Sequence, residues 1–147
     1  MDELRDIPLF AGLSDGDVRR LSVHCVWRTV AENELIIDYE DETAQVLFVV
    51  DGRVRVLLRT AAGREVILDD MTAGQYFGEM AAIDDQPRSA TAKAISDVTL
   101  LSMAQERFVH HARTMPALSF GLARLLSQKL RWTAGYAESI AQFDAAG

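Results

Sequence analysis

Between residues 26 and 103 the apolar residues come in short runs, and turn-forming residues separate each run from the next. The runs 26–30, 35–39, 46–50 and 54–58 are rich in Val, Ile, Leu and aromatic residues, and 65–68 and 91–103 continue the series. Segments this short and this rich in β-branched residues are built for strands. Many short antiparallel strands at even spacing close into a barrel or jelly roll. Asp51-Gly52, between two of the runs, predicts a hairpin with a type I′ turn. Ala62-Gly63 and Thr72-Ala73-Gly74 mark two further turns.

The flanks follow a helical period instead. Ser14 suits the N-cap of a segment in which Val18, Leu21 and Cys25 share one face, with Asp15 and Asp17 in its first turn. Before it, Ile7-Pro8-Leu9-Phe10 reads as an apolar plug that ends in a turn at Gly12. At the other end, residues 105–114 read as a short helix, and Pro116 opens a long one where proline is tolerated. Leu118, Leu122, Leu125, Leu126, Leu130, Thr133, Ala137 and Ile140 form one stripe along it, able to pack on the barrel, on a second copy, or on both. Gly135 weakens that helix near its distal end by about 1 kcal/mol relative to alanine. The expected architecture is mostly β with flanking helices: one domain over residues 1–147, with short N-terminal helices at 1–25, an antiparallel β-roll or jelly roll at 26–103 and C-terminal helices at 105–144.

Charge and composition narrow the partners. With 15 Lys and Arg against 22 Asp and Glu, the chain carries a net charge of -7. The acidic balance argues against this segment gripping DNA or an anionic membrane by bulk charge. A small anion is not excluded, because one well-placed cation reverses the field locally. The longest apolar run, Val46-Leu47-Phe48-Val49-Val50, is far too short to span a bilayer. The acidic start Met1-Asp2-Glu3-Leu4-Arg5-Asp6 lacks the features of a signal peptide. Cys25 is the single cysteine, read as a small core residue, and it forms no internal disulfide. The expected location is the cytoplasm.

One stretch interrupts the strand pattern. Residues 77–91, Phe-Gly-Glu-Met-Ala-Ala-Ile-Asp-Asp-Gln-Pro-Arg-Ser-Ala-Thr, place a short helix-forming run between a glycine and a proline. The first turn of such a run presents unpaired N–H groups, and Gly78 lets a ligand approach the backbone. Arg88 offers a planar fork of donors matched to phosphate, and Ser89 adds a hydroxyl. Glu79 would repel a phosphate, but it suits sugar hydroxyls as an acceptor. Together these groups describe a site for a ribose carrying a phosphate. Spacing alone leaves a second reading open, in which Arg88 pairs with Asp84 or Asp85 on a solvated loop.

The stretch resembles the phosphate-binding cassette of the cyclic-nucleotide-binding domain family, which includes catabolite-activator-type regulators, kinase regulatory subunits and gated channels. Gly78-Glu79-Met80-Ala81 and Pro87-Arg88-Ser89-Ala90-Thr91 match its two blocks. Pro8-Leu9-Phe10-Ala11-Gly12-Leu13 is similar to its helical opening, and Val49-Val50-Asp51-Gly52-Arg53-Val54 to its central hairpin. The resemblance implies that Glu79 binds the ribose 2′-OH. It implies that Arg88 holds the cyclic phosphate, helped by Ser89 and the backbone N–H groups of Gly78, Ala81 and Ala90, with Met80 inside the cassette. It places Thr133 near the base, with Ala134 where a second hydroxyl sometimes sits, and Trp132 and Tyr136 on either side. Two roles are open to Trp132, lying over the purine or packing in a core or partner interface, and packing is the expected one. Asn33 and Glu40 stand where relatives have turn glycines, and Asn tolerates the left-handed conformation.

The resulting expectation is a sensor that binds a 3′,5′-cyclic purine nucleotide, cyclic AMP ahead of cyclic GMP, and signals through its C-terminal helices. No other cofactor or metal is expected, and a homodimer through the long helix is. Two alternatives come with it. One is a dimerisation domain of the same fold that needs no ligand. The other is a cupin-like metal enzyme, which needs His and carboxylate ligands clustered on strands. His24, His110 and His111 all fall on predicted helices, and adjacent His110 and His111 read as a surface pair. No Ser-His-Asp spacing, P-loop or dinucleotide fingerprint is present, so no enzyme is expected.

Overall fold

Two four-stranded antiparallel sheets stack face to face in the computed structural model, which describes residues 2–37, 45–84 and 90–146. In chain order the elements are α1 (Asp2–Arg5), a 3₁₀ turn (Pro8–Phe10), α2 (Asp15–Ser22), β1 (Cys25–Val30), β2 (Leu35–Ile37) and β3 (Gln45–Asp51). They continue with β4 (Val54–Arg59), β5 (Glu65–Met71), β6 (Tyr76–Phe77), α3 (Glu79–Asp84), β7 (Thr91–Ala94), β8 (Val98–Ala104), α4 (Gln105–Thr114) and α5 (Pro116–Ala146). One sheet runs β1-β8-β3-β6 and the other β2-β7-β4-β5. This is a β-roll with helices at both chain ends, as the spacing of short strands predicts.

The unbroken apolar run in β3 has a direct structural cause. Alternate residues of a strand face opposite sides, so a strand buried on one face alternates apolar with polar. β3 is buried on both. Leu47 and Val49 point into the roll with Val54, Phe77, Ala94 and Leu100. Val46 and Phe48 point outward, into a second core made with Ile7, Phe10, Leu21, Phe108 and Leu118. Phe10 and Phe48 meet with ring centroids 5.0 Å apart, and Tyr76 lies 6.2 Å beyond Phe48. The N-terminal plug is thus the helical layer's anchor on the sheet.

Local chemistry sets the helix ends. Ser14 accepts a hydrogen bond from the Asp17 N–H at 3.2 Å, the expected N-cap, and Val18 and Leu21 are buried. Cys25 does not continue that helix but opens β1, half-buried against the helical core. Burial pushes its thiol up to about 11, so at neutral pH it packs as an uncharged group. α4 occupies 105–114 as expected, and Pro116 starts α5. The α5 stripe divides in two. Leu118 and Leu122 are buried, Leu125 and Leu126 are partly covered, and Leu130 and Ile140 are open to solvent. No helix among the described residues is long and apolar enough to cross a membrane.

Asp51-Gly52 is not the hairpin that its dipeptide signals. β3 pairs with β8 and β6, whereas β4 pairs with β5 and β7, so the segment carries the chain from one sheet to the other. Only Gly52 has a positive φ, 93°, and Asp51 does not, which rules out a type I′ turn. The true hairpin is β4–β5, turning at Gly63. Asn33, at φ 73°, takes the left-handed conformation. β2 covers 35–37, and Asp38, Tyr39 and Glu40 lie outside the described residues.

The crossover leaves no room for a side chain. A Cβ on Gly52 would sit 2.3 Å from the Asp97 carbonyl oxygen, at a φ that alanine also resists. Gly63 has a similar φ and open space around it. Gly52→Ala is therefore expected to destabilise by about 3 kcal/mol or more, and Gly63→Ala by only about 1 kcal/mol. Urea melts of the two variants check this difference.

Candidate functional site

The 77–91 stretch is held at its start by β6, where Tyr76 and Phe77 pair with Phe48 and Leu47 of β3. Gly78 follows with φ 86°, turning the chain out of the sheet, and α3 begins at the next residue. The short helix that the sequence predicts is present, and it carries Glu79, Met80 and Ala81 in its first turn. Glu79 is 4% exposed. A carboxylate withdrawn from water this far demands compensating donors or positive charge. Tyr76 lies close enough to feel it. Burial first, and then the Glu79 charge, push the Tyr76 phenol well above its usual range, so its hydroxyl stays protonated.

α3 is tied into the helical layer. Ala82 is buried in the outer core, and its carbonyl accepts a hydrogen bond from Gln105 Nε2 at 3.3 Å. Gln105 is the first residue of α4, so this bond links the glutamate-bearing helix to the helix leading to α5. Gln86, Pro87, Arg88 and Ser89 lie outside the described residues. The described chain resumes at half-buried Ala90, and Thr91, itself buried, opens β7 opposite Leu57 of β4.

Across from β6, α5 closes a cavity of about 270 Å³ lined by Met71, Gly74, Tyr76, Leu125, Leu126 and Lys129. Of these, Leu125 and Leu126 are in the sequence stripe; Tyr76 and Lys129 carried no periodic or motif signal that marked them. Thr133 lies one turn past Lys129, exposed, with its hydroxyl donating to the Lys129 carbonyl at 3.0 Å. It is therefore on the open half of α5 and not against the described part of the cassette. Trp132 does not enter a core of this chain. It is 70% exposed and stacks in parallel on Tyr136, ring centroids 5.5 Å apart.

The histidines also differ from expectation. His111 is not a surface residue: it shares the inner face of α4 with Phe108, three residues earlier, and is 4% exposed. His24 is not helical, since it falls between the end of α2 and the start of β1. The two rings meet, and His110 alone stays at the surface. Among the described residues no group of three or more His, Cys, Asp or Glu is arranged to hold a metal ion.

Comparison with known proteins bears on the same stretch. The family model described as the cyclic nucleotide-binding domain matches residues 27–114, which takes in the whole of 77–91. A protein of Thermus thermophilus named cyclic AMP receptor protein is 33% identical over 129 residues, covering 87% of this chain and 59% of its own length. Among solved structures, the Thermus thermophilus catabolite activator protein superposes with a TM-score of 0.81 at 29% identity, covering 91% of this chain and 63% of that one. The N-terminal domain of a transcriptional regulator from Streptomyces coelicolor superposes with a TM-score of 0.72 at 27% identity, covering 92% of this chain and 95% of that one. The chain thus spans about three-fifths of the two Thermus thermophilus proteins.

The α3–α4 bond has a measurable consequence. Gln105→Ala removes the donor to a buried carbonyl and is expected to cost about 1 kcal/mol locally. Amide exchange in α3 should speed up about fivefold while β3 and β8 are unchanged, as hydrogen-exchange mass spectrometry would read.

Proposed function

The chain belongs to the cyclic nucleotide-binding domain family as a sensor domain of the catabolite-activator type, and from that premise we propose that it binds cyclic AMP in the 77–91 cassette and passes occupancy to α4 and α5. The observation that carries this reading is the Glu79 carboxylate, buried directly after the left-handed Gly78 at the head of α3. A buried acceptor there suits two sugar hydroxyls, which have donors to give. In this reading Arg88 and Ser89 take the cyclic phosphate, with the backbone N–H groups of Gly78, Ala81 and Ala90 and with Met80 completing the cassette. An arginine fork makes two charge-assisted bonds to one phosphate, the strongest contribution available to a surface otherwise acidic.

Cyclic AMP is preferred over cyclic GMP in this proposal. Ser89 serves either nucleotide, and the Thermus relative carries cyclic AMP in its name. Thr133 reaches the base only if α5 swings or a partner copy presents it, because its present hydroxyl bond points back into its own helix. A homodimer satisfies the open half of α5, where Leu130, Trp132, Tyr136 and Ile140 stand uncovered. The protein binds its ligand without transforming it, works in a reducing compartment such as the cytoplasm, and leaves any contact with DNA to other segments.

Thermal melting tests the ligand. At 100 times its dissociation constant, cyclic AMP should stabilise the fold by about 2.7 kcal/mol, and 5′-AMP should not. Arg88→Ala should weaken binding by at least about thirtyfold in calorimetry, with the unliganded melt unchanged. Unaltered affinity in that variant overturns the phosphate assignment, and no shift with any cyclic nucleotide favours the ligand-independent dimerisation domain. For assembly, sedimentation equilibrium should return a dimer that Leu130→Asp converts to a monomer.

A further inference from the structure

His24 and His111 meet where the N-terminal helices, the roll and α4 converge. His24 is fixed by its backbone N–H, which donates to the Leu21 carbonyl at 3.0 Å. His111 sits in the last turn of α4, buried, one turn before Pro116 opens α5. His24 Nδ1 and His111 Nε2 are 2.8 Å apart, with ring centroids at 5.0 Å. Two ring nitrogens at that distance form a hydrogen bond only if one carries a proton and the other does not. A single added proton on the pair is compatible with the bond. A second leaves N–H facing N–H, and the contact breaks.

The surroundings make the second proton costly. From α2 comes Arg20, whose guanidinium is engaged by Asp17. From β1 comes Cys25, its thiol neutral. α4 itself supplies Arg107 and His110, whose ring centroid is 5.7 Å from that of His111. α5 contributes Leu118, apolar, to the same core as the buried Met115 just ahead of it. Burial first, then His24, His110, Arg107 and Arg20, hold His111 below the ordinary imidazole range.

We propose that the His24–His111 pair is a pH-sensitive clasp, fastening α4 to the turn between α2 and β1 near neutral pH and loosening it on acidification. The direction follows from linkage. A ring released from the core takes up a proton below about pH 6.5, whereas the docked His111 resists one, so opening becomes easier as the pH falls. The clasp is complete above that value and is lost as the pH descends toward the docked value of His111. Because α4 runs into α5 through Met115 and Pro116, the pair gives the distal helix a second input. That input needs no nucleotide and stands apart from the cassette.

Hydrogen exchange of the full chain without nucleotide tests the clasp. Between about pH 7.5 and about pH 5.5, protection factors in α4 should fall several-fold, up to about tenfold, while β3 and β8 hold theirs. His111→Gln keeps a polar group that does not titrate, and its α4 protection should be flat over the same range. If that variant does not fold, His24→Gln supplies the second arm. It removes the ring that faces His111 Nε2, and the pH response of α4 should shrink in it. Protection in α4 that is independent of pH in the parent chain overturns the proposal. So does a fall shared equally by β3 and β8, or one that survives unchanged in both variants.

Discussion

Leu47 and Phe48 are neighbours on β3 that face opposite ways, one into the roll and the other into the helical layer. Both are essentially fully buried, as are Val46 and Val49. Every other part of the architecture is arranged around that double burial. The roll closes around Leu47 and Val49, and the plug at Ile7 and Phe10 caps Val46 and Phe48 on the outside. α4 and α5 complete the outer core through Phe108, Met115 and Leu118. Truncating an aromatic ring at such a place costs about 3–5 kcal/mol, a large part of what holds a domain of this size folded. The same strand pairs with β6, so the element that launches the cassette is registered directly on a strand buried on both faces.

In the proposed mechanism that arrangement gives the cassette a fixed floor and a wall that the ligand moves. Gly78 and Glu79 leave the sheet from a fixed register, whereas α3 is joined to α4 through a Gln105 bond and the burial of Ala82. In the proposed mechanism the ligand acts on the wall. A nucleotide drawn toward Glu79 and Arg88 repositions α3, and α4 follows because it shares the Ala82 contact. The His24–His111 pair opposes or permits that movement from the other end of α4. α5 is therefore tied to the roll only along its first turns, and its distal half extends into solvent with an apolar face.

Much of this was legible in the residues. An apolar run with no alternation is what a strand buried on both faces requires, and Ser14, Pro116 and the 105–114 segment mark their helices by ordinary capping and periodicity rules. Gly78 and Glu79 stood out because they break the strand pattern, and α3 begins where the pattern breaks. Other features were hidden for physical reasons. Asp51-Gly52 declares a tight turn, but a dipeptide carries no information about which sheet receives the next strand. His111 looked like half of a surface pair, since burial depends on what α4 packs against and not on its neighbour His110. The α5 stripe continues past the edge of the roll, so periodicity alone could not say where core contact stops. Arg88 and Ser89 rest on the motif, because they fall outside the described residues.

The central claim is that one small ligand, bound at the cassette, is felt by α5. Hydrogen exchange of the full chain with and without saturating cyclic AMP measures this directly. The account predicts new protection in two places, residues 78–91 and α5, with β1 and β8 unaffected. Protection confined to residues 78–91, or an exchange pattern identical with and without the nucleotide, would contradict it.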